Sequence, residues 1–455
     1  MFKKRTRAAV VIRHWYNSRL AVILESILIG FVVGFVIVTF RYLLNRADVL
    51  RARIYETLPR VPVYWTLFWV LALVLTGLFL GWAAQVRPMI RGSGIPQIKG
   101  ALLRRMTLDW APEMPLKLIT GVLGLGAGLS LGREGPSIQI GAYLGKGVLS
   151  VFRRPNTERK FLITAAAAAG VSAAFNAPLA GVLFVLEELR VSEKDSPGDV
   201  FSPLFLACAM GASMAADAVA GFFFGLGPVF DFRYVRVLPL RDLPWVILLG
   251  IICALLGDLF KRILYGSLDA YDRLPIPRII CPVIPLLVSI PLGFFLFDIS
   301  GGGHGLIESL SRRDRTLGMA ALLFGTKTLF TALCYGSGAS GGIFLPLLVC
   351  GALTGDGLGK CLSMAGFTAE GQNLNFMILG MAAFFTAVVK APVTGIVLIL
   401  EMSGNFNHLG SLVLVCFSAF VTSDLIVSRP VYDVLLERIL VRKGGPKIYP
   451  GYAGG

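Results

Sequence analysis

The chain has 455 residues, of which 55% are hydrophobic and only 15% charged. That balance excludes an ordinary soluble domain and predicts an all-α polytopic membrane protein. The net charge of +16 lies in short clusters flanking apolar runs, so it reads as membrane-flanking charge and not as a nucleic-acid surface.

The 52 glycines suit close helix packing and broken helices better than a lipid-exposed barrel. Seven cysteines are scattered without CxxC spacing, which predicts buried thiols, no disulfide framework and no metal site. His14, His304 and His408 are too far apart in sequence to suggest a metal cluster. The first apolar run is too long for the core of a cleavable signal.

Lys3, Lys4, Arg5 and Arg7 precede that first run, Leu20–Leu44, and favour a cytoplasmic N-terminus. Further runs cover Val63–Val86, Met114–Leu131, Ser137–Phe152, Phe161–Leu189 and Val200–Phe224. Others cover Leu243–Leu264, Ile279–Phe297, Gly318–Leu333, Gly342–Leu358, Phe376–Leu400 and Leu409–Leu425. Several are shorter than the ~20 residues a crossing helix needs, and short, interrupted segments in two matching halves point to a transporter binding site. The expected organisation is a basic segment over 1–19, a first membrane repeat with its connecting segment over 20–240, a second repeat over 241–428, and a final helix with a short tail over 429–455.

Between the runs ending at Leu131 and beginning at Ser137 lies Gly132-Arg133-Glu134-Gly135-Pro136. A carboxylate at that depth costs roughly 2.5–3.5 kcal/mol, so it faces a pathway or a partner and not lipid. Gly132 and Gly135 free the backbone, and Pro136 suits the first turn of a new helix. Glu134 then sits at the positive end of that helix, where anions bind. Two readings stay open: Glu134 occupies or competes for an anion site, or it pairs with Arg133.

The halves correspond. Gly132–Pro136 matches Gly342–Pro346 at an offset of 210, Lys117 matches Lys327 at the same offset, and Gly92-Ser-Gly-Ile matches Gly303-His-Gly-Leu at 211. Ala177-Pro178-Leu-Ala-Gly181 with Glu187 matches Ala391-Pro392-Val-Thr-Gly395 with Glu401 at 214. The chain is a tandem duplication inside one membrane domain, and an odd number of crossings per half would make the repeats inverted. Glu187 has a counterpart and reads as architectural. Glu134 faces Phe344, Glu188 faces Met402 and Ser93 faces His304; acids present in one half only are the functional candidates.

Three motifs in order, GSGIP at 92–96, GREGP at 132–136 and GSGASGGIFLP at 336–346, resemble those of the CLC family of chloride channels and chloride/proton exchangers. The resemblance covers about Leu20 to Leu440. It implies an inverted-repeat bundle of tilted and broken helices. Chloride would be held by the Ser93 hydroxyl, by backbone N–H groups of Ile343 and Phe344, and by the Tyr432 phenol, although an interfacial tyrosine is an open alternative for Tyr432. Glu134 would be the external gating glutamate and Glu188 the internal proton relay. Gly92, Gly94, Pro96, Gly132, Arg133, Gly135, Pro136, Gly342 and Pro346 would support those sites.

An acid at Glu188 favours exchange over a passive channel, and Ser93 favours chloride over nitrate. The resemblance further implies a prokaryotic plasma-membrane protein without paired regulatory domains and with both termini cytoplasmic. It would be a homodimer through helices near 177–189 and 392–425, with no cofactor beyond the transported ion. A gated passive chloride channel of the same fold is the open alternative. A membrane enzyme finds no support, because no nucleophile stands beside a base and no metal-ligand spacing exists.

Overall fold

A computed structural model describes residues 2–151, 156–189, 203–235, 238–312, 315–369 and 371–442. The side chains of the basic segment 1–18 and the tail beyond residue 442 lie outside the described residues. Apart from two isolated bridges, the regular structure among the described residues is helical.

The first half holds α1 (Phe2–Thr57), α2 (Val63–Val86), α3 (Ile95–Leu102), α4 (Trp110–Gly126), α5 (Glu134–Val151), α6 (Asn156–Phe175), α7 (Pro178–Glu188) and α8 (Pro203–Phe224). The second holds α9 (Leu243–Arg273), α10 (Val283–Phe295), α11 (His304–Arg312), α12 (Leu317–Gly336), α13 (Phe344–Met364), α14 (Asn373–Val389), α15 (Pro392–Ser403) and α16 (Leu409–Leu425), followed by α17 (Val431–Arg442). Among the described residues, seven helices are long and apolar enough to cross a membrane. The protein is an all-α, multi-span membrane protein.

Two expected runs divide. Phe161–Leu189 breaks at Asn176, whose φ of 51° is left-handed, and restarts at Pro178; Phe376–Leu400 breaks at Lys390, φ 67°, and restarts at Pro392. Proline cannot continue a helix but opens one well. Both breaks fall at equivalent points of the duplication.

The halves meet about a local two-fold axis. Gly132 and Gly342 pair antiparallel, each N–H donating to the other's carbonyl at 2.6 and 2.7 Å. Two equivalent residues paired antiparallel are related by a two-fold rotation, as the halves of an inverted repeat are. Glu187 accepts from the N–H groups of Val393 and Thr394 at the start of α15, while Glu401 accepts from those of Leu179 and Ala180 at the start of α7. Each glutamate therefore caps the other half's helix, where free N–H groups and the helix dipole favour a carboxylate. The architectural reading of Glu187 holds.

The buried lysines follow the same symmetry. Lys117 donates to the carbonyls of Ile90 and Gly92, and Lys327 to those of Ile299 and Gly301. Positive φ recurs likewise at Gly92 and Gly94 and at Gly301 and Gly303. The carbonyl and glycine pairs share an offset of 209, two less than the sequence match, while the lysines keep 210. Ser93 therefore faces Gly302, and the assignment of His304 as its counterpart is corrected. A triple glycine, Gly301–Gly303, allowed more than one alignment.

Small residues let the central helices approach closely. A side chain on Gly141 would strike the Ala166 carbonyl across α5 and α6, and one on Gly351 the Gly380 carbonyl across α13 and α14. These two tight pairs hold the half-helix ends rigidly in the middle of the molecule.

Candidate functional site

Three helix N-termini converge where the glycine breaks pair. Helix α3 starts two residues after Ser93, α5 starts at Glu134 and α13 starts at Phe344. The first N–H groups of a helix lack an internal partner and carry partial positive charge. Gly135 lies directly on Ser93, so close that a Cβ there would sit 2.7 Å from the Ser93 carbonyl. The Gly132–Gly342 pairing brings the starts of α5 and α13 together.

Around this point the groups singled out in the sequence are buried together. Ser93, Glu134, Ile343, Phe344 and Tyr432 are each 0% exposed. The Glu134 carboxylate has no hydrogen-bond partner on either oxygen, although the Leu345 N–H lies alongside it. The Tyr432 hydroxyl is likewise unpartnered. It lies within electrostatic range of both Glu134 and Glu188. The Phe344 ring packs against Phe175, Phe184 and Phe385, which fixes the start of α13. A buried polar group left unpaired costs about 1–3 kcal/mol, more when charged. An unpaired carboxylate and an unpaired hydroxyl beside helix N-termini mark a place built for something else.

Arg133 does not supply the missing partner. Its guanidinium reaches the Ala174 carbonyl at 3.4 Å, at the end of α6, where Arg41 also donates to Ala173 at 2.6 Å. Both arginines thus lie at the negative end of that helix.

Glu188 stands apart at the end of α7, 3% exposed. Lys99 Nζ lies 3.2 Å from its Oε1 and 2.5 Å from Asp433 Oδ1. Lys99 and Asp433 escaped the sequence reading, as did Tyr335, whose hydroxyl approaches Ser93 and Gly92. One signal was available: Lys99 and Asp433 are charges on the very segments that carry Ser93 and Tyr432.

Two clefts border the symmetry-related glycine turns. One is lined by Arg91, Gly92, Tyr335, Arg438 and Arg442; the other by Arg51, Arg133, Gly301, His304 and Leu345. Gly92 and Gly301 are two-fold mates, so the clefts take related positions in the two halves, with Asp272 in one and Asp48 and Asp298 in the other beside the arginines.

Known proteins share this fold. The profile described as voltage gated chloride channel matches residues 76–424. The chain belongs to the voltage-gated chloride channel family. It is 33% identical over 436 residues to proteins named H(+)/Cl(-) exchange transporter ClcA from Citrobacter koseri and Salmonella newport, covering 94% of this chain and 90% of each relative. The crystal structure of a slow cyanobacterial Cl-/H+ antiporter superposes with a TM-score of 0.85 at 29% identity, covering 93% of this chain and 99% of that one. A CLC-type fluoride/proton antiporter shares the fold, with a TM-score of 0.75 at 23% identity over 92% of this chain and 98% of that one.

Proposed function

We propose that this member of the voltage-gated chloride channel family exchanges chloride for protons across the plasma membrane. The observation that carries the reading is the buried, unpartnered Glu134 carboxylate among three helix N-termini, beside the unpartnered Tyr432 hydroxyl. Relatives named as exchange transporters over nearly the whole chain support it.

Chloride sheds water on entering, and needs donors that do not hold it too tightly to leave. The Ser93 and Tyr432 hydroxyls and the N–H groups of Ile343 and Phe344 are such donors. An ionised Glu134 mimics the anion and takes the same site. Protonated, it gives the site up, so proton and chloride occupancies are linked. Glu188, also buried, passes the proton to and from the opposite solution. No cofactor takes part, and the protein acts as a transporter and not as an enzyme. Both termini are assigned to the cytoplasm.

Chloride titration by calorimetry in detergent tests the competition. Affinity should rise as pH falls, because protonation removes the competing carboxylate. In Glu134→Gln it should be high and flat across pH. A pH dependence that survives in that variant would contradict the competition.

A further inference from the structure

Glu188 is buried, yet it is not a lone carboxylate. Lys99, in α3, lies between it and Asp433, in α17, at 3.2 and 2.5 Å, and the three side chains are only 4–15% exposed. Three elements from distant parts of the sequence meet here. Glu187 next door is committed to the N–H groups of Val393 and Thr394, and the neighbouring Tyr432 is a neutral phenol. Lys99 is thus one ammonium shared between two carboxylates. With both acids ionised these three side chains alone sum to one negative charge, and burial makes such charge costly. One added proton makes the three neutral.

We infer that Lys99, Glu188 and Asp433 form a single proton-holding cluster, in which Asp433 and Lys99 are positioning residues that set how readily Glu188 takes its proton. This deepens the exchange reading and rests on it. Asp433 pushes the Glu188 proton affinity up by repulsion, and Lys99 pulls it down by attraction.

The cluster is also tied to the anion site through the chain. Lys99 lies six residues after Ser93, on the short helix that Ser93 introduces, and Asp433 directly follows Tyr432. A change in charge at the cluster acts on α3 and α17, the two elements that carry the anion-side hydroxyls.

The test is chloride-driven proton flux in proteoliposomes of the full chain, recorded against pH for the unmodified protein, Asp433→Asn and Lys99→Met. Removing Asp433's charge should move half-maximal flux about one pH unit towards acid, and removing Lys99's charge about one unit towards alkaline. Chloride flux should persist in both, and the double variant should return close to the original midpoint. A merely structural role would move both singles the same way or lower all flux. Unmoved midpoints, or shifts in one direction, would overturn the cluster while leaving exchange intact. If Asp433→Asn fails to insert, the alkaline shift of Lys99→Met decides alone. No proton flux from the unmodified protein would overturn the exchange reading, and the cluster with it.

Discussion

At the scale of single residues, the centre depends on groups with no room to move and few partners. Glu134 Oε2 occupies the space that a side chain on Gly132 would need. Gly132→Ala should therefore displace the carboxylate and loosen proton coupling while chloride still moves, measured as the ratio of the two fluxes. An unchanged ratio would show that the carboxylate's place is not what couples the ions. Lys327 is fully buried and spends its ammonium on the carbonyls of Ile299 and Gly301. Lys327→Met leaves those carbonyls without a donor, at about 1–3 kcal/mol each. Its thermal unfolding midpoint in detergent should fall by several degrees, and an unmoved midpoint would mean that other donors replace the lysine.

At the scale of elements, the reciprocal caps join the halves. Glu187→Gln and Glu401→Gln each keep a hydrogen-bonding oxygen but lose the charge that faces a helix N-terminus. Each should cost about 0.5–2 kcal/mol. Similar losses from both, read by chemical unfolding in detergent, are expected from their two-fold relation; a loss from one alone would contradict it. This duplication was legible in the sequence, because glycine and proline mark backbone geometry directly and recur at near-constant spacing. Glu134 was legible too, since a charge between apolar runs needs a reason. Less legible were the helix breaks at Asn176 and Lys390, where side chains capable of either conformation sit inside apolar runs. The Lys99–Asp433 contact was hidden because it joins residues 334 positions apart. The match of Ser93 to His304 failed because hydrogen bonding from Lys327, and not residue likeness, fixes the true register.

At the scale of the whole molecule, one face of α16 presents Leu409, Val413, Phe417 and Val421 in a stripe with a spacing of four, and Leu179 and Val393 are exposed at the starts of α7 and α15. These helices are the ones that the resemblance to the CLC family implies would join two copies. Val413→Arg with Phe417→Arg should halve the mass seen by light scattering in detergent. Each released copy keeps its own path, so transport should continue. A mass that does not change would place the interface elsewhere.

The central claim is that proton and chloride movements are coupled through a carboxylate at the anion site. The most direct test imposes a chloride gradient on proteoliposomes at a fixed membrane potential and follows internal pH. Protons should be driven uphill by chloride, and this coupling should be lost in Glu134→Gln and in Glu188→Gln while chloride continues to flow. Chloride flux without any proton movement in the unmodified protein would contradict it, and would leave a passive chloride channel built on the same fold.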